Sequence, residues 1–200
     1  LDAALCLGLG MKSKEQLLCF LSKADDPNSG GRQMPQHYGH KDLRIVSQSS
    51  PTGTQFLQAV GCAMSRKWEN DHEIVYVSSG EGSTSEGEFH EALNWASREK
   101  LPIIFHIQDN EYAISVHVSE QTSGSSVFSM VNGYDNLSRY EVDGTNFFET
   151  DLAFREAIER ARQGKGPSVI VSNVVRLLSH SSSDDQKKYR KKEDLDKDKN

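Results

Sequence analysis

The chain has 200 residues, enough to bury a sizeable core, and carries 23 basic against 29 acidic side chains for a net charge of −6. That balance lacks the basic footprint of a nucleic-acid binder, and no run approaches the 18 apolar residues of a membrane-spanning helix. Cys6, Cys19 and Cys62 lie in apolar periodic segments and read as buried, reduced thiols of a cytosolic protein.

In chain order, Leu1 to Gly10 is apolar but short and has no basic lead-in, so it does not read as a signal peptide. With no initiator methionine, the chain is expected to be an excerpt from a longer protein. Ala3 to Lys23 predicts one helix, kinked at Gly8 and Gly10. The stretch Asp25-Asp26-Pro27-Asn28-Ser29-Gly30-Gly31 carries every turn signal and predicts a loop. Arg32-Gln33-Met34-Pro35 and His37-Tyr38-Gly39-His40 follow without periodicity. Two histidines three apart admit a metal, but no further cysteine or histidine stands near, which favours a polar loop at an interface. Ser49-Ser50-Pro51 places a capping hydroxyl before a first-turn proline and predicts a helix start. Phe56, Val60 and Ala63 share one face of that helix, and Ser50, Thr52 and Thr54 sit at its N-terminus. There they cap the helix or meet a ligand.

Glu73 to Ser79 is a β-branched and aromatic run that predicts a buried strand, ending on Gly80-Glu81-Gly82. Ser85-Glu86-Gly87-Glu88 has the spacing of a capping box, so a helix is expected to start there, with Phe89, Ala92, Leu93 and Ala96 on its buried face. Pro102 closes the connection, and Ile103 to Ile107 predicts a second buried strand that exits into Gln108, Asp109, Asn110 and Tyr112. In such a βαβ unit both strands point the same way, so Glu81 and Asn110 emerge at one carboxyl edge, where open α/β sheets bind ligands. A carboxylate and an amide oxygen facing one gap are hard donors suited to Mg²⁺, and the helix start offers N–H groups to an anion. Taken singly, Glu81 reads as a cap and Asn110 as a turn; as a pair in this frame they read as a site. The glycines lack the third member of a dinucleotide fingerprint, no phosphate-binding P-loop is present, and Asn94 stands where a zincin helix needs its second histidine. His90 therefore reads as a helix-surface or interface residue.

Val116 to Tyr134 is rich in serine and glycine and predicts a long surface loop with at most a short helix. Arg139 to Val142 predicts a short strand, Phe148 to Gln163 a helix stopped by Gly164 and Gly166, and Val169 to Leu178 a third strong strand. The order predicts an α/β fold, a mostly parallel sheet with helices on both faces. Arg176 and His180 would then lie near the ligand edge, as phosphate or proton partners or as a solvated loop. From Lys187 to Asn200 eleven of fourteen residues are charged, which predicts a solvated, disordered tail after a single domain over 1–186.

Gly80-Glu81-Gly82 followed by Asn110 resembles the thiamine diphosphate motif. With its surroundings, Gly80 to Ala92 and Asn110 to Ser115, it is similar to the alpha subunit of the thiamine-dependent, decarboxylating component of 2-oxo acid dehydrogenase complexes. Gly31-Arg32-Gln33-Met34-Pro35, His37-Tyr38-Gly39 and His180-Ser181-Ser182-Ser183-Asp184-Asp185 look most like the branched-chain (2-oxoisovalerate) enzyme. The resemblance covers about residues 10 to 190 and implies a thiamine diphosphate-binding domain. Mg²⁺ would be held by Glu81, Asn110 and the backbone carbonyl of Tyr112. Gly80, Gly82, Ser83, Gln108 and Arg176 would serve the diphosphate, Ser50 and Thr52 the aminopyrimidine, and His180 would bind cofactor and act as the catalytic residue. It further implies a beta subunit, separate or fused, in an α2β2-type assembly, a 2-oxo acid substrate, and acyl transfer to a lipoyl domain. The implied place is a bacterial cytoplasm or a mitochondrial matrix.

This sequence departs from that pattern at several points. Asp109 stands where an asparagine is usual, Glu111 where a glycine is usual, Thr52 for a leucine and Ser179 for a histidine. Two extra carboxylates beside an anionic cofactor weaken its binding or favour the metal. Ser181 lies where related enzymes are phosphorylated. The alternatives are a pyruvate or acetoin dehydrogenase subunit, or a degenerate scaffold subunit.

Overall fold

The computed structural model describes residues 3–69 and 72–198. The chain separates into two compact units, Leu1–Gln55 and Phe56–Asn200, where one domain is expected over 1–186.

In the first unit the helix expected from Ala3 to Lys23 is interrupted. Helix α1 spans Ala3–Gly8 and α2 spans Ser13–Phe20. Between them Gly10 takes a φ of 109°, a conformation that glycine alone enters readily. Cys6, Met11, Cys19 and Tyr38 form a small buried cluster, and all three cysteines are free thiols, Cys62 half-buried. The predicted loop at 25–31 is organised by Asp26, whose buried carboxylate accepts N–H bonds from Asn28 (3.0 Å), Ser29 (3.1 Å) and Gly31 (3.2 Å). Burial pushes its pKa up, but these donors outweigh it and hold the carboxyl at about 2.

Helix α3, Thr54–Trp68, begins later than its proline signal implies. The Thr54 hydroxyl, not Ser50, reaches back to the Pro51 carbonyl at 3.0 Å. Ser50 is instead 2.6 Å from His37 Nε2, while His37 Nδ1 lies 3.0 Å from the Pro35 carbonyl. A carbonyl only accepts, so Nδ1 carries the proton and Nε2 takes the serine hydroxyl. With both of its nitrogens engaged, His37 reads as loop structure rather than as a metal ligand.

The second unit is built on a four-stranded sheet: β1 (Val75–Gly80), β2 (Ile103–Asp109), β5 (Ser138–Asp143) and β6 (Ser168–Asn173) in the order β1-β2-β6-β5, with every pair parallel. The mostly parallel sheet expected from the sequence is thus present. Alternation along the strands divides the core. Val77, Ile103, Phe105, Ile107, Val169 and Val171 pack with α3 and with α4 (Gly87–Glu99). Ile104, Val142 and Ile170 pack with Ala153 and Ala157 of α7 (Phe147–Arg162). Helices therefore cover both faces, as a sheet of continuous apolar strands requires.

Four segments differ from expectation. Helix α4 starts after Glu86 rather than at a Ser85 capping box, because Glu81–Ser85 first forms a 3₁₀ turn. The final strand stops at Asn173, not Leu178. The stretch 116–134 holds more structure than a loop: a two-stranded ribbon, β3 (Tyr112–Ala113) with β4 (Val116–His117), then α5 (Val118–Gln121) and α6 (Val127–Met130). The charged segment after 186 is also ordered, with a 3₁₀ turn at Gln186–Lys188 and α8 at Lys192–Lys197. Most of its charged side chains stay exposed, and Arg190 is buried, with its guanidinium over the Tyr112 ring. Among the described residues no helix is long and apolar enough to cross a membrane.

Phe89 joins α4 to the sheet: its buried ring lies 4.9 Å from Phe56 and meets Phe105 edge-on at 6.4 Å. Phe89→Ala is expected to destabilise the chain by about 3–5 kcal/mol, lowering the urea midpoint at unchanged slope; a loss below about 1 kcal/mol would contradict this packing.

Candidate functional site

Parallel pairing brings the strand exits to one edge. Gly80 lies opposite Gln108, Gln108 opposite Ser172, and Asn173 opposite both Asp109 and Asp143. Here β1 turns into the 3₁₀ segment that carries Glu81, and β2 releases Asp109, Asn110 and Glu111 into the ribbon.

Glu81 is 1 % exposed. Its Oε2 accepts the Asn110 N–H at 3.2 Å, and its Oε1 is buried with no hydrogen-bond partner among the described residues. Burial pushes its pKa up; the Asn110 N–H opposes this, the Asp109 carboxylate adds to it and the Arg176 guanidinium draws it back. Asn110 Oδ1 accepts the Tyr112 N–H at 3.2 Å and, with two lone pairs, retains capacity for another partner. Glu81, Asn110 and Tyr112 are therefore adjacent through a carboxylate, an amide and one turn of backbone. Among the described residues no group of three or more histidine, cysteine, aspartate or glutamate side chains could hold a metal. Any cation here would draw on one carboxylate together with amide and carbonyl oxygens, a hard-donor set.

The glycines differ in role. A Cβ on Gly80 would meet nothing closer than the Gln108 carbonyl at 3.9 Å, whereas one on Gly82 would lie 2.8 Å from Ala113 Cβ. Only Gly82 is required by packing, since the turn and the ribbon touch there. Ser83 sits half-buried in the same turn, and Gln108 is half-buried near the end of β2.

Arg176 lies beyond the end of β6. Its Nη1 donates to the Ile114 carbonyl (2.8 Å) and its Nη2 to the Tyr189 hydroxyl (2.7 Å), and its guanidinium stands 5.2 Å over the Tyr112 ring. The Tyr189 hydroxyl donates in turn to Asp184 Oδ2 at 2.6 Å, and the same oxygen accepts the His180 N–H at 2.9 Å. These two donors hold the Asp184 carboxyl below the ordinary range. His180 is exposed and is linked to the site through its backbone and this chain of bonds, and Ser181 is exposed beside it. Ser50 and Thr52 lie in the other unit, both exposed.

Several residues that the sequence did not single out belong to this edge. Gln121 Nε2 reaches the Gly82 carbonyl (3.0 Å) and the Ser85 hydroxyl (2.9 Å). Arg190 stacks 5.1 Å over Tyr112, donates to the Arg176 carbonyl at 3.0 Å and pairs with Asp198. Tyr189 is the one aromatic residue in the charged run after 186; that interruption was the available sign that the run folds back. Gln121 carried no sign, because a glutamine in a Ser/Gly-rich stretch is ordinary.

The extra carboxylates are also placed. Asp109 is buried and its Oδ1 accepts the Glu111 N–H at 2.8 Å, closing a turn over Asn110. Glu111 is exposed with a φ of 67°, the left-handed region in which a glycine costs nothing.

The family model for the dehydrogenase E1 component matches residues 2–200. The chain is 42% identical over 195 residues to the 2-oxoisovalerate dehydrogenase subunit alpha of Bacillus subtilis, covering 98% of this chain and 59% of that one. It is 41% identical over 172 residues to the mitochondrial 2-oxoisovalerate dehydrogenase subunit alpha of Mus musculus, covering 86% of this chain and 38% of the relative. The 3-methyl-2-oxobutanoate dehydrogenase subunit alpha of Mycobacterium tuberculosis is 39% identical over 149 residues, which are 74% of this chain and 40% of that one. The chain thus spans well under two thirds of the length of these relatives. A solved structure from Mycobacterium smegmatis, provisionally assigned as a thiamin diphosphate-dependent enzyme, superposes with a TM-score of 0.51 at 26% identity, over 68% of this chain and 25% of that one.

Two outcomes follow from this geometry. A carboxyl whose pKa is raised on folding contributes stability that is complete below its ordinary value and is lost as pH rises through the raised one. Metal-free Glu81→Gln is therefore expected to gain thermal stability over the native chain as pH rises from acid to neutral; a gap independent of pH would refute the burial argument. Glu111→Gly relieves a left-handed glutamate at the cost of a freer unfolded chain, and is expected to stabilise by about 0.5–1 kcal/mol in denaturant titration; a destabilised variant would show that the turn is not strained.

Proposed function

This chain belongs to the dehydrogenase E1 component family, and from that premise we propose that it forms part of the alpha subunit of a decarboxylase acting on branched-chain 2-oxo acids. The observation that carries the reading is Glu81, a buried carboxylate with one oxygen held by Asn110 and the other without a partner among the described residues. Burying an ionised carboxylate with so little compensation is unfavourable unless a cation completes it.

The donors fit Mg²⁺, which takes hard oxygens at roughly 2.0–2.1 Å. Glu81, the Asn110 amide oxygen and the Tyr112 carbonyl hold the metal. Gly80, Gly82, Ser83, Gln108 and Arg176 hold the diphosphate of the cofactor. Bound thiamine diphosphate supplies the nucleophile and the electron sink that decarboxylation of a 2-oxo acid needs. His180, exposed on the loop after β6, binds the cofactor region and moves a proton at the substrate's 2-oxo oxygen. Arg176 draws the Glu81 pKa back towards its ordinary range. Support for the substrate class comes from the relatives, whose names specify 2-oxoisovalerate and 3-methyl-2-oxobutanoate. The working assembly pairs this subunit with a beta partner in an α2β2-type arrangement and passes the acyl group to a lipoyl domain, in a bacterial cytoplasm or a mitochondrial matrix. The Asp109 carboxylate closes a backbone turn, which gives it a structural reason to be present and so does not require the scaffolding reading.

Titrating thiamine diphosphate with Mg²⁺ calorimetrically into the parent subunit assembled with its beta partner tests the reading. Metal-dependent binding is expected, weakened about 100-fold by Asn110→Ala, since even outer-shell partners of a metal contribute about 10–100-fold. The same assembly is expected to prefer 2-oxoisovalerate to pyruvate in kcat/KM. Binding that ignores Mg²⁺, or that Asn110→Ala leaves intact, sinks the proposal.

A further inference from the structure

Two separate chain segments supply the metal donors proposed above: the turn after β1 carries Glu81, and the exit of β2 carries Asn110 and Tyr112. A divalent cation with strict geometry needs those segments held at one spacing. Three interactions link them. One is the Asn110 N–H bond to Glu81 itself. The second is the Gly82–Ala113 approach, which leaves no room for a Cβ on Gly82. The third is Gln121, which stands at the end of α5, after the ribbon, and reaches back to the turn.

The Gln121 amide is the most connected side chain at this junction. Its Nε2 lies 3.0 Å from the Gly82 carbonyl, 2.9 Å from the Ser85 hydroxyl and 3.4 Å from the Glu81 carbonyl. Two of these three partners are carbonyl oxygens that only accept, so the amide nitrogen faces the turn and the orientation of the group is determined. The Glu81 carbonyl has the Thr84 hydroxyl at 2.7 Å, and the Gly82 carbonyl has Gln121. The far side of the amide, Oε1, is buried and unpartnered among the described residues. It would lie 3.9 Å from a Cβ on Gly82, against the same turn. A buried amide oxygen left unpaired is unfavourable, and the three contacts made by the nitrogen account for its retention.

Building on the cofactor reading, we infer that Gln121 is a positioning residue: its amide clamps the Glu81–Ser85 turn to the ribbon that follows Asn110 and Tyr112, and so sets the metal site at the spacing a divalent cation needs. Gln121 touches none of the proposed donor atoms. Its loss leaves every donor atom of the site present and lets the two segments drift apart, so metal affinity falls while the chemistry at saturation stays.

The test uses the parent subunit assembled with its beta partner, comparing the native assembly with Gln121→Met, which keeps volume and removes the amide. Mg²⁺ is titrated at saturating thiamine diphosphate, and amide hydrogen exchange is followed without metal or cofactor. The expected result is a rise of about tenfold in half-saturating Mg²⁺, kcat at saturating Mg²⁺ within about twofold of native, and faster exchange in residues 82–86 with the strands still protected. An unchanged Mg²⁺ midpoint overturns the inference, as does a fall in kcat that saturating Mg²⁺ does not restore. Should Gln121→Met fail to assemble, Gln121→Asn, which keeps the amide but shortens its reach, decides on the same shift in midpoint. A native assembly that binds cofactor without Mg²⁺ would instead refute the metal reading, and is distinguished from failure of the clamp because it appears before any substitution is made.

Discussion

The hydrogen bond from the Asn110 N–H to the Glu81 carboxylate is the contact on which the rest of the site depends. It joins the exits of two neighbouring parallel strands, and among the described residues it is the hydrogen bond that another residue offers a carboxylate shut away from water. Backbone donors do not offset the desolvation of an ionised group, and burial leaves the Glu81 pKa raised. The surrounding structure is arranged so that the carboxylate cannot escape it. Gly82 brings the turn against the ribbon, Gln121 ties the turn from the other side, and the Phe89 helix lies directly after it. The carboxylate is left under-compensated, with burial raising its pKa.

Charge around that carboxylate is balanced locally. Asp109 is close enough to raise Glu81, but its own oxygen is engaged by the Glu111 N–H. Arg176 works in the other direction, and its position is itself fixed by the Ile114 carbonyl, the Tyr189 hydroxyl and the Tyr112 ring. Arg190 stacks on the same ring and pairs with Asp198. Thus the segment after residue 186, acidic and basic by composition, supplies the packing that holds the arginine nearest the site. A charged run folds back when one aromatic and one arginine in it find a buried partner, because the stacking and hydrogen bonds then exceed the loss of solvation.

How far the sequence could be read varied with the range of the forces involved. The βαβ unit was legible because Glu73 to Ser79 and Ile103 to Ile107 are unbroken β-branched runs, which fit only strands buried on both faces. Glu81 and Asn110 were legible as a pair because parallel strands deliver their exits to one edge. The helix start at Ser85 was misplaced because a capping box is a local pattern, and the 3₁₀ turn that displaced it is stabilised by Gln121, distant in sequence. The capping alternative for Ser50 failed for the same reason: its hydroxyl is engaged by His37 and not by a helix N-terminus.

By itself the sequence determined the order of the main strands and helices, the parallel sheet, and that Glu81 and Asn110 leave neighbouring strands at one edge, since periodicity and residue chemistry act over a few positions. It also held the motifs that link this chain to its family. Tertiary structure alone decided which of Gly80 and Gly82 is sterically obligatory, that the run after 186 carries helical turns, and that Gln121, Tyr189 and Arg190 contact the residues around the strand exits. Those are contacts between residues tens of positions apart, and they exist only once the sheet has set the distances between strand exits.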